Sequence, residues 1–255
     1  MRLTRCFSPA PLQAGRLVTL PAAAGTHVTR VLRLRTGAAL TLFDGRGGEY
    51  AARLLGSDPD GVGVRVEVGE PRPIERESPL RVCLLQGLAR GERMDWIVQK
   101  ATELGVAVIV PFRGEHSVVQ LDAAAAARRV VHWRAVAISA CEQCGRNRLP
   151  EISAIAPLAS ALRAMAEAAD QPRETLRLLL SPQAQQSMAA RLATLPTHGA
   201  VSLLVGPEGG LSDAEQHDAR QYGFQSVRLG PRVLRAETAP LAALATIQAL
   251  VGDFI

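Results

Sequence analysis

The sequence has almost no lysine. Lys100 is the one lysine among 29 basic residues, so the positive charge is carried by arginine, whose planar, permanently charged fork suits phosphate. Acidic residues are missing from the first 43 positions, where Arg2, Arg5, Arg16, Arg30, Arg33 and Arg35 stand unopposed. Such a run is a solvated basic face or a nucleic-acid footprint, and its length with no acid in it favours the footprint. Over the whole chain of 255 residues the balance is +5, which permits an anionic partner without demanding one. Four cysteines (Cys6, Cys83, Cys141 and Cys144) do not make a disulfide scaffold at this length. The start, Met1-Arg2-Leu3-Thr4-Arg5, lacks the apolar core of a signal peptide, and a reducing cytoplasm is expected. No membrane span is expected either: the best stretch, residues 238–252, is short and holds Thr238, Pro240, Thr246 and Gln248.

Familiar site motifs are missing too. No G-x-G-x-x-G follows a strand, and neither G-x-x-x-x-G-K-[ST] nor G-x-S-x-G occurs. That argues against a dinucleotide site, a P-loop and a nucleophile elbow. The C-x-x-C formed by Cys141-Glu142-Gln143-Cys144 has no second pair and no H-x-x-x-H to complete a metal site. It reads as two thiols on the buried face of a helix, and no metal is expected.

Gly206-Pro207-Glu208-Gly209-Gly210 is the most informative stretch present. It follows the apolar run Val201–Val205, a buried strand, and precedes Ser212-Asp213-Ala214-Glu215, which has the form of a capping box. A glycine loop between a strand and a helix lets backbone approach a ligand at the carboxyl end of a sheet. A second strand, ending near Leu229, runs into Gly230-Pro231, and a helix begins near Thr238. Two neighbouring loops of this kind would form one cleft.

The rest of the chain supplies the frame. Residues 1–70 read as short strands and turns in a small β-barrel pattern, with hairpin strands Leu40–Phe43 and Tyr50–Leu55, a turn at Asp58-Pro59-Asp60-Gly61, and a period-two strand Val62–Val68. His27–Leu34 is expected as a short helix carrying Arg30 and Arg33. Residues 69–79, with three prolines and mixed charge, have linker composition. Thereafter strands (80–85, 106–111, 176–180, 201–205, 226–229) alternate with helices (94–104, 122–144, 239–251), which implies a mostly parallel sheet with helices on both faces. The expected division is 1–72 and 73–255, and the class is α/β. Glu103 and Glu142 sit near helix C-termini, against the dipole, and so require a partner.

Six stretches together resemble one family. They are Val31-Leu32-Arg33, Leu42-Phe43-Asp44-Gly45, Gln99–Val106, Ala140–Arg148, Val205–Gly210 and Leu229–Ala239, in order along nearly the whole chain. The sequence is similar to the RsmE family of 16S ribosomal RNA (uracil-N3)-methyltransferases, within the SPOUT class. The resemblance implies a PUA-like N-terminal barrel, a SPOUT domain whose chain is threaded as a deep trefoil knot, a homodimer through the C-terminal domain, and S-adenosylmethionine as cofactor. Carried over, the cofactor pocket is Leu180 and Ser181; Gly206, Pro207, Glu208, Gly209 and Gly210; and Leu229, Gly230, Arg232, Val233 and Leu234. Arg146 and Arg148 are expected to cross to the other subunit's pocket.

The chemistry adds its own demands. Uridine N3–H is weakly acidic and poorly nucleophilic, so it needs alignment and help in losing its proton. Arg235 is the expected stabiliser of the uracil anion; Glu142 and Glu208 are the expected bases. Arg5, Arg30, Arg33, Arg146 and Arg148 are the expected contacts to 16S ribosomal RNA or the small subunit. The alternatives are a methyltransferase of this class acting on another RNA, and a non-catalytic RNA-binding assembly protein.

Overall fold

The computed structural model describes residues 4–57, 63–167, 174–196 and 199–254. The expected turn at Asp58-Pro59-Asp60-Gly61, the strand residue Val62 and the basic Arg2 lie outside them. The chain divides into two compact units, Met1–Glu77 with Ile138–Leu149, and Ser78–Ala137 with Pro150–Ile255.

In the first unit the chain forms β1 (Arg5–Phe7), β2 (Leu17–Leu20), α1 (Ala22–Thr26), β3 (Ala39–Phe43), β4 (Glu49–Ser57) and β5 (Val64–Arg72). They make a five-stranded sheet in the order β1-β3-β4-β5-β2, antiparallel except for the β1–β3 pair. Val64, Val66 and Val68 alternate inward from β5 and join Leu20, Val28, Leu40, Leu42 and Leu54 in one core. Register shifts at Tyr50/Ala52 and Leu54/Gly56 curl the sheet, so the expected small barrel is realised as a half-barrel.

Two expectations shift here. The helix begins earlier than His27: α1 runs into a π-helical turn, His27–Val31, and the chain leaves it at Arg33, whose φ of 52° lies in the left-handed region. Residues 69–72 are strand rather than linker. Pro71 faces Tyr50 beside the register shift, where a missing N–H is tolerated.

The second unit holds β6 (Arg81–Gly87), α2 (Arg93–Glu103), β7 (Val108–Arg113), α3 (Ala123–Cys144, whose last residues from Ile138 group with the first unit), β8 (Glu151–Ile152), β9 (Ala156–Pro157), α4 (Leu158–Glu167), β10 (Thr175–Leu180), α5 (Met188–Leu192), β11 (Ala200–Val205), α6 (Asp213–Gln221), β12 (Gln225–Val227) and α7 (Thr238–Val251). The sheet is parallel, in the order β12-β10-β11-β6-β7-β8, with β9 beside β7. Successive strand residues face opposite layers. Leu84, Leu178 and Leu203 pack with α2, α3 and α7, while Leu85, Leu179 and Leu204 pack with α4 and α6. Burial on both faces explains why these strands read as continuous apolar runs. The order reverses at β6: the chain first moves outward to β7 and β8, then returns to build β10, β11 and β12 on the other side. Such a switch leaves a crevice at the carboxyl ends of the strands.

Candidate functional site

The crevice is a cavity of about 900 Å³ at the carboxyl ends of β10, β11 and β12, formed within the second unit. Its walls come from three loops: Leu179–Gln183 after β10, Val205–Leu211 after β11, and Leu229–Glu237 before α7. All the residues expected around a cofactor, from Leu180 and Ser181 through Gly206–Gly210 to Leu229, Gly230, Arg232, Val233 and Leu234, line this one space. Arg235 lines it as well.

Local chemistry fixes the loops. The Ser212 hydroxyl accepts the Glu215 N–H at 3.2 Å, and the Glu215 carboxylate accepts the Ser212 N–H at 3.0 Å, so the capping box read from the sequence starts α6 and ends the glycine loop. The other carboxylate oxygen of Glu215 accepts the Glu115 N–H at 3.0 Å, holding the loop after β7. A Cβ at Gly209 would lie 2.8 Å from His116, and one at Gly87 would overlap the backbone of Pro207, so both glycines are needed for close packing beneath the loop. Gly210 and Gly230 differ: a Cβ on either meets no protein atom within 4 Å.

These features fit a ligand of cofactor size. The volume is that of a small-molecule site, and apolar walls (Leu180, Leu229, Leu234) alternate with a few polar groups. The carboxylates Glu208, Asp213 and Glu237 suit a cationic ligand, and Arg232 and Arg235 stand exposed at the same cavity.

The two carboxylates expected as bases are placed differently. Partial burial works to raise the Glu208 pKa, but the Arg90 N–H at 2.9 Å and the Arg93 guanidinium at 2.8 Å outweigh it and hold the carboxyl below its ordinary range. A carboxylate so occupied is a weak base. Glu142 belongs to the first unit and lines no part of this cavity. It accepts the Phe7 N–H at 3.0 Å; burial raises its pKa. That backbone donor answers its adverse position against the helix dipole, as Lys100, 2.8 Å away, answers that of Glu103.

Two of the arginines expected on RNA are also structural. The Arg5 side chain is buried, ion-paired with Glu49, bonded to the Asn147 amide oxygen at 2.6 Å and stacked 4.9 Å over Phe43. Arg146 is buried against Glu77, with Nε 3.0 Å from the carboxylate. Neither side chain is offered to a phosphate. Arg30, Arg33 and Arg148 are exposed. Of the two C-x-x-C thiols expected on a buried face, Cys141 is buried, its thiol pushed far up by its hydrogen bond with Cys144 and by burial, while Cys144 is half-buried. Among the described residues no cluster of His, Cys, Asp or Glu could hold a metal ion. No helix among them is long and apolar enough to cross a membrane.

Sequence reading missed Arg93 and Glu237, both at the cavity. The signal was available for Arg93: it is a cation in the first turn of a helix, against the dipole.

Residues 76–248 match an RNA methyltransferase domain, and residues 20–67 an RNA methyltransferase PUA domain. The ribosomal RNA small subunit methyltransferase E of Buchnera aphidicola (subsp. Schizaphis graminum) is 30% identical over 99% of this chain and 98% of its own. The chain belongs to the ribosomal RNA small subunit methyltransferase E family. Two solved structures extend the likeness across the whole molecule. A Legionella pneumophila protein described as a methyltransferase, in complex with the cofactor SAM, is 39% identical with a TM-score of 0.88, covering 100% of both chains. The Neisseria gonorrhoeae methyltransferase E, bound to S-adenosyl methionine, is 37% identical with a TM-score of 0.85, again covering 100% of both.

Proposed function

We propose that this chain transfers a methyl group from S-adenosylmethionine to N3 of a uridine in 16S ribosomal RNA, and that the cavity at β10, β11 and β12 holds the cofactor. The observation that carries the reading is the convergence of three sequence-distant loops on one space. The bound cofactor would supply an electrophilic methyl group on a sulfonium centre. Backbone of the 206–210 and 229–234 loops would hold it, with Leu180, Leu229 and Leu234 as apolar walls and Glu208, Asp213 and Glu237 facing its positive charge.

Arg235 stabilises negative charge on the uracil oxygens as N3 loses its proton. An arginine cannot take that proton, but it lowers the cost of losing it. With Glu208 tied up by Arg90 and Arg93, anion stabilisation rather than a strong local base is the chain's own contribution. N3 is paired in a duplex, so the target must be unpaired or flipped. Arg30 and Arg33, on and just beyond the turn after α1, grip the RNA backbone, and Arg148 is a third contact.

The trefoil threading, a cytoplasmic location and a homodimer through the second unit belong to the same proposal. Support for the dimer comes from α7. Ala243, Leu244 and Ile247 are buried in the unit, yet Leu250 remains 52% exposed, as does Trp96 on α2. Exposed apolar side chains of this size suit a two-fold interface. A fully active monomer by sedimentation would remove the dimer.

The cofactor reading is tested at Gly230. Unlike Gly210, whose φ of 72° strains any side chain, Gly230 has room for a side chain without a protein clash. Gly230→Val should fold normally and lose S-adenosylmethionine binding by calorimetry; unchanged affinity would reject the site. Mass mapping of ribosomal RNA from a strain lacking the protein, with purified protein added back, identifies the nucleotide and separates the N3 reading from another RNA target.

A further inference from the structure

Arg93 lies in the first turn of α2, where a cation opposes the positive end of the helix dipole. Two carboxylates compensate it. Its Nη1 donates to Glu208 Oε1 at 2.8 Å, and its Nε lies 3.6 Å from Glu237 Oε2. The two acids come from different loops. Glu208 sits in the glycine loop after β11 and also accepts the Arg90 N–H, which ties that loop to the start of α2. Glu237 precedes α7 at the N-cap position, but its side chain makes no capping hydrogen bond there, and its buried Oε2 has no hydrogen-bond partner. One guanidinium therefore joins the loop after β11 to the loop after β12, and all three residues line the cavity.

We propose that Arg93 is a positioning residue, a clamp that holds the two loops around the cofactor so that binding need not order them. The inference rests on reading the cavity as the S-adenosylmethionine site. A single half-exposed ion pair contributes little. A three-member bridge between two loops also removes loop entropy that a ligand would otherwise have to quench on binding. Lysine, a point charge on a flexible stem, cannot present separate in-plane donors of a rigid fork to two acids.

Calorimetry and stopped-flow dissociation with S-adenosylmethionine test the clamp in the intact protein. Arg93→Ala should weaken binding about tenfold, mostly through faster release, with kcat at saturating cofactor changed less than about twofold. Arg93→Lys should recover only part of the loss. Glu237→Gln should weaken binding more in the presence of Arg93 than in Arg93→Ala, where the clamp is already open and only the direct attraction of Glu237 for the cofactor is left to lose. Losses that simply add, an Arg93→Ala affinity within twofold of the parent, or a fall in kcat at intact affinity would each overturn the proposal. Gly230→Val separates the two levels. If it abolishes binding while Arg93→Ala is inert, the clamp alone is wrong; if it too is inert, the cofactor reading falls and the clamp with it.

Discussion

The buried arginines of the first unit and the cavity arginines of the second do different work. In the first unit the side chains of Arg5 and Arg146 are buried against acids, Arg5 against Glu49, which Arg76 also reaches, and Arg146 against Glu77, so their charge is spent on holding the fold. In the second unit Arg93, Arg232 and Arg235 stand around an open cavity, and among the described residues only Arg93 of the three is matched to acids. The residue type is the same and the environment decides. A buried guanidinium cannot leave its partner without stranding a charge, whereas one at a cavity rim keeps its donors for a ligand. A basic sequence stretch is thus a poor guide to an RNA-binding face until burial is known.

The comparison can be broken from either side. Arg5→Ala should lower stability by about 3 kcal/mol, because buried Glu49 loses its main partner and keeps only Arg76. Chemical denaturation reads this, and a loss below about 1 kcal/mol would return Arg5 to the list of free cations. Arg235→Ala should leave stability alone and lower kcat about 100-fold, roughly 2.7 kcal/mol of lost anion stabilisation. An unchanged kcat in single-turnover assays would remove Arg235 from the chemistry. Replacing Arg30 and Arg33 with Ala should weaken RNA binding and reduce its salt slope by about 0.7 per arginine, with cofactor affinity intact; an unchanged slope would remove Arg30 and Arg33 from the RNA contacts.

The smallest effect is a difference in pH dependence between two carboxylates of the first unit. Burial works to raise Glu49, but its bonds to Arg5 and Arg76 prevail and hold it below the unfolded value near 4.5. Its contribution is complete above that value and is lost as pH falls through the lower folded one. Glu142 is raised by burial above the same 4.5, so its sign is reversed. Its contribution is present in acid and lost as pH rises through the folded value. Glu142→Gln keeps an acceptor for the Phe7 N–H and should abolish only the second loss. Denaturation midpoints measured across this range that keep the same slope in the variant would show that Glu142 does not titrate as its burial requires.

Much of this was legible in the sequence. The Ser212–Glu215 capping box, the Gly105 stop after α2 (φ 81°) and the apolar face Met94, Ile97, Val98, Ala101 all follow from local chemistry, and each forms as read. The region between 150 and 175 yielded no reading, although Leu158, Leu162 and Met165 give α4 a helical stripe; the two-residue strands β8 and β9 beside it are too short to leave a pattern. The cavity residues were named through the family likeness, and their chemistry alone would have marked only the glycine loops.

The sequence by itself determined the alternation of strands and helices, the loops with φ values and close approaches that only glycine supplies, and the chemical types available at each. Those depend on neighbours a few residues apart. Only the tertiary structure decided that the side chains of Arg5 and Arg146 are inside and Arg235 outside, that Glu208 pairs with Arg93, and that loops ending at 183, 211 and 237 share one space. These depend on which strands lie side by side, and β10, β11 and β12 are neighbours through parallel pairings that no local pattern encodes.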